Sequence, residues 1–451
     1  MICKPSTPAA YKLLMDGVQA FIDIEHRGMR IDEEYLDRTI TWAENKITDL
    51  ETKIRDDVVY KEWRKVYGGK SDLGSTKQLG HIIFNVLGHE CTKRTKSGLP
   101  STSAEAFENL DVPFVKKWTM LESLKKTVST FLKGIRSETI NGYLHPFFNL
   151  HRAITFRSSS SDPNFQNFPN RDKRLSKMVR QAFIPRSEEY VLMEVDYGAL
   201  EFRGAACFWK DPSMVEYASD PTKDIHRDMA MDCFMLEMDQ VAKDVRGWAK
   251  NQFVFPTLYG SFYKACANGL WNAIEKGNLK TVDGICLFEH LESHGVGNLN
   301  GFIDHMKGVE DKFNRRFPTW STQKEVWWDQ YLKRGWFEME TGFVCQGIFT
   351  RNDLMNYPIQ GPSFHLTLWS LIQLERIFKE RGYKTVIIGQ IHDSICMDVH
   401  KDEIEDVVQL CDEVMTVEVR KHWPWVIVPL EVEFEIAEKN WYEKKEYIQA
   451  A

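Results

Sequence analysis

Two aspartates stand at the ends of apolar strands far apart in the chain. Residues 190–196, YVLMEVD, alternate Val191, Met193 and Val195 with Leu192 and Glu194, the pattern of a buried strand that ends on Asp196. Tyr197-Gly198 then breaks into a helix start, and taken alone Asp196 reads as a cap for that helix. A carboxylate at the lip of an apolar strand costs roughly several kcal/mol to bury unpaired, so it must meet a cation or stay wet. The second aspartate, Asp393, lies between KTVIIGQI and SICMDV, which read as two strands of a hairpin. Hairpin tips favour Asn-Gly or Asp-Gly, yet Gln390-Ile391-His392-Asp393-Ser394 contains no glycine, which marks a side chain placed for use. If Asp196 and Asp393 meet on one sheet, they can hold two Mg²⁺ ions roughly 3.5–4 Å apart, the geometry of in-line phosphoryl transfer. Hard cations need oxygen ligands, and the Tyr197 carbonyl adds one to the carboxylates.

A second group joins charge to aromatic rings. Arg246 and Lys250 share one face of a helix at 244–255, and Phe253, Phe255, Pro256 and Tyr259-Gly260 follow. Such a face suits a nucleoside triphosphate, with charge on the phosphates and stacking on the base. A third stretch, HRAITFRSSSSDPNFQNFPNR at 151–171, is polar and turn-rich with few residues for a core. Its Arg157, serines, Asn164, Gln166 and Asn167 are donors suited to phosphate oxygens and groove edges. Asn356-Tyr357-Pro358-Ile359-Gln360-Gly361, taken alone, is a plain turn and cap ahead of a long helix. The basic loop TKRTKSGLPST at 92–102 is either solvated or in contact with phosphates.

These residues must be positioned by a large chain. With 451 residues it can bury a sizeable core divided among several subdomains. The net charge of −7 provides no global basic field, so any nucleic acid must be met by local clusters. Nine scattered cysteines without a C-x-x-C pair point to a reducing compartment, free buried thiols and no zinc site. The start lacks a signal-peptide pattern and no apolar run approaches membrane length, so a cytoplasmic protein with no membrane partner is expected. The 14 Trp and 27 Phe suit a protein that stacks on planar ligands, although most belong in a core.

The pattern predicts amphipathic helices at 11–24, from Asp32 onward with Leu36, Ile40, Ala43, Ile47, Leu50 and Ile54 inward, and at 122–133, with Lys125 and Lys126 on its surface. Helices follow through 204–255, around Asp224-Ile225-His226, and again at 308–333 and 363–380. Residues 264–310 are less patterned and read as an insertion. A helix carrying Ile404, Val407, Cys411 and Val414 leads to a last strand, VIVPLEVEFEIAE.

Taken together, these stretches closely resemble the family A DNA polymerases, the group of bacterial DNA polymerase I and many phage replicative polymerases. DYGALEFR is similar to the family's D-Y-S-x-x-E-x-R. RGWAKNQFVFPTLYG resembles R-x-x-x-K followed by an aromatic and Y-G, and QIHDSI resembles Q-V-H-D-E. SSSSDPNFQNFP, DIH, NYPIQG and VPLEVEF fall in the family's order, so the resemblance covers nearly the whole chain.

The resemblance implies an α+β, right-hand polymerase fold with an antiparallel-sheet palm, helical fingers and a helical thumb. It assigns 1–140 to the thumb, 141–203 to the palm entry, 204–350 to the fingers with the insertion at about 264–310, and 351–451 to the palm with the metal hairpin. It implies template-directed extension of a primer by dNTPs, with two Mg²⁺ ions, or Mn²⁺ in their place, on Asp196, Asp393 and the Tyr197 carbonyl. Arg246, Lys250 and His226 match triphosphate ligands, Lys250 also as the acid that protonates pyrophosphate. Tyr259 matches the base of the nucleotide pocket, and Glu201 matches the carboxylate that crowds the sugar 2′ position. Arg157, Asn164, Gln166, Asn167, Asn356, Gln360 and His392 match contacts to primer and template, and Lys125 and Lys126 are further candidates for DNA. The thumb-like part begins almost at Met1, which leaves no room for a preceding exonuclease domain; unless the chain is trimmed, proofreading is expected to come from a separate 3′–5′ exonuclease or another replisome protein, or to be missing. The rival readings are a single-subunit RNA polymerase, opposed by Glu201, and an inactive primer-template-binding subunit, motivated by Ser394.

Four departures stand out. Ser394 occupies a position where the family usually has glutamate, Ala199 replaces a common glutamine, and 264–310 is longer than the family norm. The fourth concerns Phe255, which lies one residue too far from Lys250. On a regular helix it would point about 140° away from Lys250, whereas one inserted residue absorbed as a π-bulge brings it within about 40°. A π-bulge around 251–255 is therefore expected, with Phe255 facing the nucleotide and Phe253 packed behind it, and Pro256 making the defect less costly.

Overall fold

The structure is a computed structural model that describes residues 2–91, 100–102, 106–107, 110, 112–169, 172–275 and 279–448. Most of the basic loop expected at 92–102 lies outside them. The strands used below are β1 (Ile2–Pro5), β2 (Tyr190–Tyr197), β3 (Trp336–Met339), β4 (Phe343–Gln346), β5 (Val386–Ile391), β6 (Ser394–His400), β7 (Val432–Ala437) and β8 (Lys445–Glu446). The helices used below are α1 (Pro8–Arg27), α2 (Glu33–Asp56), α3 (Pro113–Lys126), α4 (Leu200–Trp209), α5 (Ile225–Phe234), α6 (Lys243–Ala249), α7 (Tyr263–Glu275), α8 (Leu287–Ser293), α9 (Leu299–Arg316), α10 (Pro318–Arg334) and α11 (Arg351–Arg381).

A five-stranded antiparallel sheet in the order β5-β6-β2-β7-β8 holds the two aspartates. β2 is central because Val191, Met193 and Val195 are all buried. β5 and β6 form the expected hairpin, closed by a turn of His392 and Asp393 between the paired Ile391 and Ser394. His392 takes a φ of 52°, the left-handed region that costs a residue with a Cβ more than glycine. α11 packs beside this sheet and against α4, where Gly204 permits the approach: a Cβ there would come within 2.6 Å of Ser363 Oγ.

Local sequence rules explain many boundaries. Asp32 caps α2 by accepting from the Tyr35 N–H, and Gly28 closes α1 at a φ of 64°. Other expectations need correction. The NYPIQG stretch is part of α11, which is capped by Thr350 and carries Pro358 and Pro362 internally. Each proline removes one intrahelical bond, but both rings are buried, and packing overrides propensity. Residues 264–310 are largely helical: Trp271 of α7 meets Phe302 of α9 at 5.3 Å, which gives the segment its own apolar contact. The last strand is shorter than the apolar run because Pro429, lacking an N–H, precedes it, and pairing starts at Val432. Within 151–169, Phe165 and Phe168 are core residues packed on Phe183, so that stretch is less polar in space than in sequence.

The expectation of free buried thiols holds for Cys207, Cys233, Cys266, Cys396 and Cys411, whereas Cys286 is free but only half-buried. It fails for Cys3 and Cys345, which face each other across β1 and β4 and are joined as a disulfide. Strand pairing supplies this proximity, which cysteine spacing in the sequence cannot reveal. Among the described residues no helix is long and apolar enough to cross a membrane.

Candidate active site

The register of the sheet brings the two aspartates together. Ser394 pairs with Asp196 across β6 and β2, so Asp393, one residue earlier, flanks Asp196 at the sheet's edge. Both line a cleft of about 660 Å³ together with Gln166, Asn167, Arg180, Glu194, His392, Ser394 and Lys444. Burial, then the charges of Asp393 and Glu194, push the Asp196 carboxyl up to about 7. Burial likewise lifts Asp393 to about 6, against the opposing pull of Arg157. Arg157 lies between two acids, its Nη2 3.9 Å from Asp393 Oδ1 and its Nη1 3.5 Å from Glu201 Oε1. Glu201 is also held by the Tyr259 hydroxyl, which donates to Oε2 at 2.6 Å.

Facing the sheet, α6 passes into a π-helical segment, Lys250–Val254, before one more turn, Phe255–Leu258. The expected π-bulge is present, and it sets Phe255 on the side of Lys250 and Phe253 in the core. Lys250 Nζ lies 5.4 Å from the centre of the Phe255 ring, while Phe253 is fully buried against Phe313. Phe255 stacks on Tyr259 at 6.3 Å and meets His226 edge-on at 5.5 Å. Arg246 is engaged by Asp224, through Nε at 2.6 Å and Nη2 at 3.2 Å. His226 is buried and neither ring nitrogen has a hydrogen-bond partner; burial, then Lys250 and Arg246, push its imidazole down to about 3.

With this geometry in view, comparisons with known proteins are decisive. The sequence profile described as DNA polymerase family A matches residues 40–281 and 338–443. The chain belongs to DNA polymerase family A. Among curated relatives, DNA polymerase I of Bacillus subtilis (strain 168) is 28% identical over 431 residues, covering 94% of this chain and 44% of its own length. The DNA polymerase of Bacillus phage SP01 is 26% identical over 471 residues, covering 89% of this chain and 47% of its own. The family A chain thus spans under half the length of these relatives. A solved structure described as the POL domain of Pol1 from M. smegmatis in complex with DNA primer-template and dNTP aligns with a TM-score of 0.74 at 23% identity, over 95% of this chain and 70% of that one. The fold is the right-hand polymerase fold.

Not every residue singled out in the family A sequence reaches the cleft as a free group. Tyr197 points its hydroxyl inward to Ser370 and the Met415 carbonyl, which leaves only its backbone for a metal. Gln166 spends its amide on Ser158 and Gln390, bracing the hairpin strand. Asn164 and Asn167 are exposed, as is His392. Asn356 and Gln360 are half-buried on α11, and Asn356 Oδ1 is buried without a partner. Lys125 is not a free surface cation, because Glu51 at 2.8 Å and Glu122 at 3.4 Å share its charge; Lys126 is exposed. Neither lysine lines the cleft. Sequence reasoning assigned no role to Asp224, which engages Arg246, or to Arg180 and Lys444, which line the cleft.

Proposed function

We propose that this chain is a template-directed DNA polymerase that extends a primer 3′ end with dNTPs. The observation that carries this reading is the meeting of Asp196, at the end of β2, with Asp393, in the turn between β5 and the adjacent β6, in one cleft. The donor set fits hard divalent cations: two carboxylates beside a backbone carbonyl. Asp196, Asp393 and the Tyr197 carbonyl would hold two Mg²⁺ ions, with Mn²⁺ a substitute. When bound, the ions supply activation of the primer hydroxyl and neutralisation of the leaving pyrophosphate.

The remaining work belongs to the chain's own side chains. Lys250 and Arg246 bind the triphosphate, and Lys250 Nζ donates a proton to departing pyrophosphate. Phe255, aligned over Tyr259, stacks on the incoming base. Glu201, pinned by Tyr259, crowds the 2′ position of the sugar, and this favours a DNA over an RNA product. His226, neutral and unpartnered, offers the phosphates a hydrogen-bond donor. Arg157, Asn164, Asn167, Asn356, Gln360, His392 and Lys126 face primer and template, and Gln166 braces the hairpin strand behind them. The sheet with α11 serves as palm, the helices of 204–350 as fingers and those of 1–140 as thumb.

Primer extension by the purified protein, with and without Mg²⁺, tests the reading. Extension by dNTPs and not NTPs is expected. Binding of primer-template without extension would establish the inactive-subunit reading in its place.

A further inference from the structure

Position 394 carries serine where the family resemblance expects glutamate, and another carboxylate fills the space beside it. Ser394 lies opposite Asp196 on the β2–β6 ladder, so both side chains leave one face of the sheet. Glu194, two residues earlier on β2, leaves that face as well. Diagonal neighbours on one face are about 7–8 Å apart, within reach of a long side chain. Glu194 makes this reach: its Oε1 accepts from Ser394 Oγ at 3.0 Å. The same hydroxyl lies 2.9 Å from the Ile391 carbonyl, at the start of the turn that bears Asp393. Glu194 Oε2 accepts from Lys444 Nζ at 2.6 Å and Trp441 Nε1 at 3.1 Å. The carboxylate is therefore anchored on both sides, and it lines the same cleft as Asp196 and Asp393.

We propose that Glu194 is a positioning residue for the two-carboxylate site: it brings diagonally from β2 the carboxylate that position 394 lacks on β6, and through Ser394 it holds the turn that presents Asp393. The inference rests on reading Asp196 and Asp393 as the metal site. Its signature is an exchange. Carboxylates at both 194 and 394 compete for one space and repel, whereas a glutamate at 394 with a serine at 194 returns a single carboxylate to it.

The test measures Mn²⁺ affinity by electron paramagnetic resonance on the protein alone, together with primer extension in Mg²⁺. Glu194→Gln keeps the shape and removes the charge; it is expected to weaken Mn²⁺ binding and slow extension about tenfold, the scale of lost outer-sphere support. Ser394→Glu alone is expected to lose at least as much, and Glu194→Ser combined with Ser394→Glu to recover most of it, as coupled neighbours do. Mn²⁺ affinity in Glu194→Gln within about twofold of the unaltered protein, or a double variant no better than Ser394→Glu, overturns the proposal. If the double variant does not fold, the Glu194→Gln affinity decides. Failure of the unaltered protein to extend primers would refute the polymerase reading, while the Mn²⁺ comparison would still judge Glu194.

Discussion

The two sides of the cleft position their functional groups by opposite means. On the sheet side, unbroken antiparallel pairing of β2 with β6 sets Asp196 beside the hairpin turn, where His392 is left-handed. On the helix side, a regular element would have failed. The π-helical turn at Lys250–Val254 rotates Phe255 onto the face that carries Lys250. A sheet therefore gains precision from regularity, whereas this helix gains it from a defect placed between Lys250 and Phe255.

The comparison can be broken most severely from the sheet. Asp196→Asn or Asp393→Asn should each lower primer extension by about 10³-fold or more, several kcal/mol of lost charge stabilisation, while primer-template affinity in a gel-shift assay stays near that of the unaltered protein. Retained synthesis in either variant would remove the metal assignment. On the helix side, Lys250→Ala should cost about 10²-fold in kcat, the lower end of what a general acid contributes. Single-turnover kinetics checks this, and an effect on KM alone would leave Lys250 a binding residue only.

The π-bulge itself is probed by its two phenylalanines. Phe255→Ala should raise the KM for dNTP about tenfold, the worth of about one stacked base, with little change in melting temperature. Phe253→Ala should do the reverse, lowering stability by about 3–5 kcal/mol through a core cavity. If the two effects were exchanged, the bulge would not be aiming Phe255 at the nucleotide.

The smallest effect concerns acidity on the helix side. His226 is held neutral down to about 3, and buried His365 behaves likewise. An unfolded histidine takes a proton below about pH 6.5, so the folded state loses stability as pH falls through that value towards 3, by at most about 1.4 kcal/mol per pH unit for each residue. The raised Asp196 and Asp393 carboxyls pull the other way over the same window, so the test is a difference: on going from about pH 6.5 to 5, the melting temperature should change more favourably when both histidines are replaced by asparagine than in the unaltered protein. An unchanged slope would mean that neither imidazole stays neutral.

Much of this was legible in the chain. Alternation marked β2 and the β5–β6 hairpin and caps marked α2, because each is a local rule acting over a few residues, while the bulge followed from setting the spacing of Lys250, Phe255 and Tyr259 against the family pattern. The NYPIQG stretch misled because prolines argue against a helix locally, and only burial of their rings within α11 reverses that. The helical character of 264–310 was hidden because its apolar residues pair across a gap, Trp271 with Phe302. Lys125 read as a surface cation because Glu51 lies on another helix.

The sequence by itself determined which residues could do chemistry and which short segments would carry them, since residue type, strand alternation and helical period are written in consecutive positions. Tertiary structure decided who meets whom: Asp393 with Asp196, Glu194 with Ser394, Arg246 with Asp224 and Cys3 with Cys345. Strand register and helix packing set those distances, and both are sums over many weak contacts that no local stretch of sequence contains.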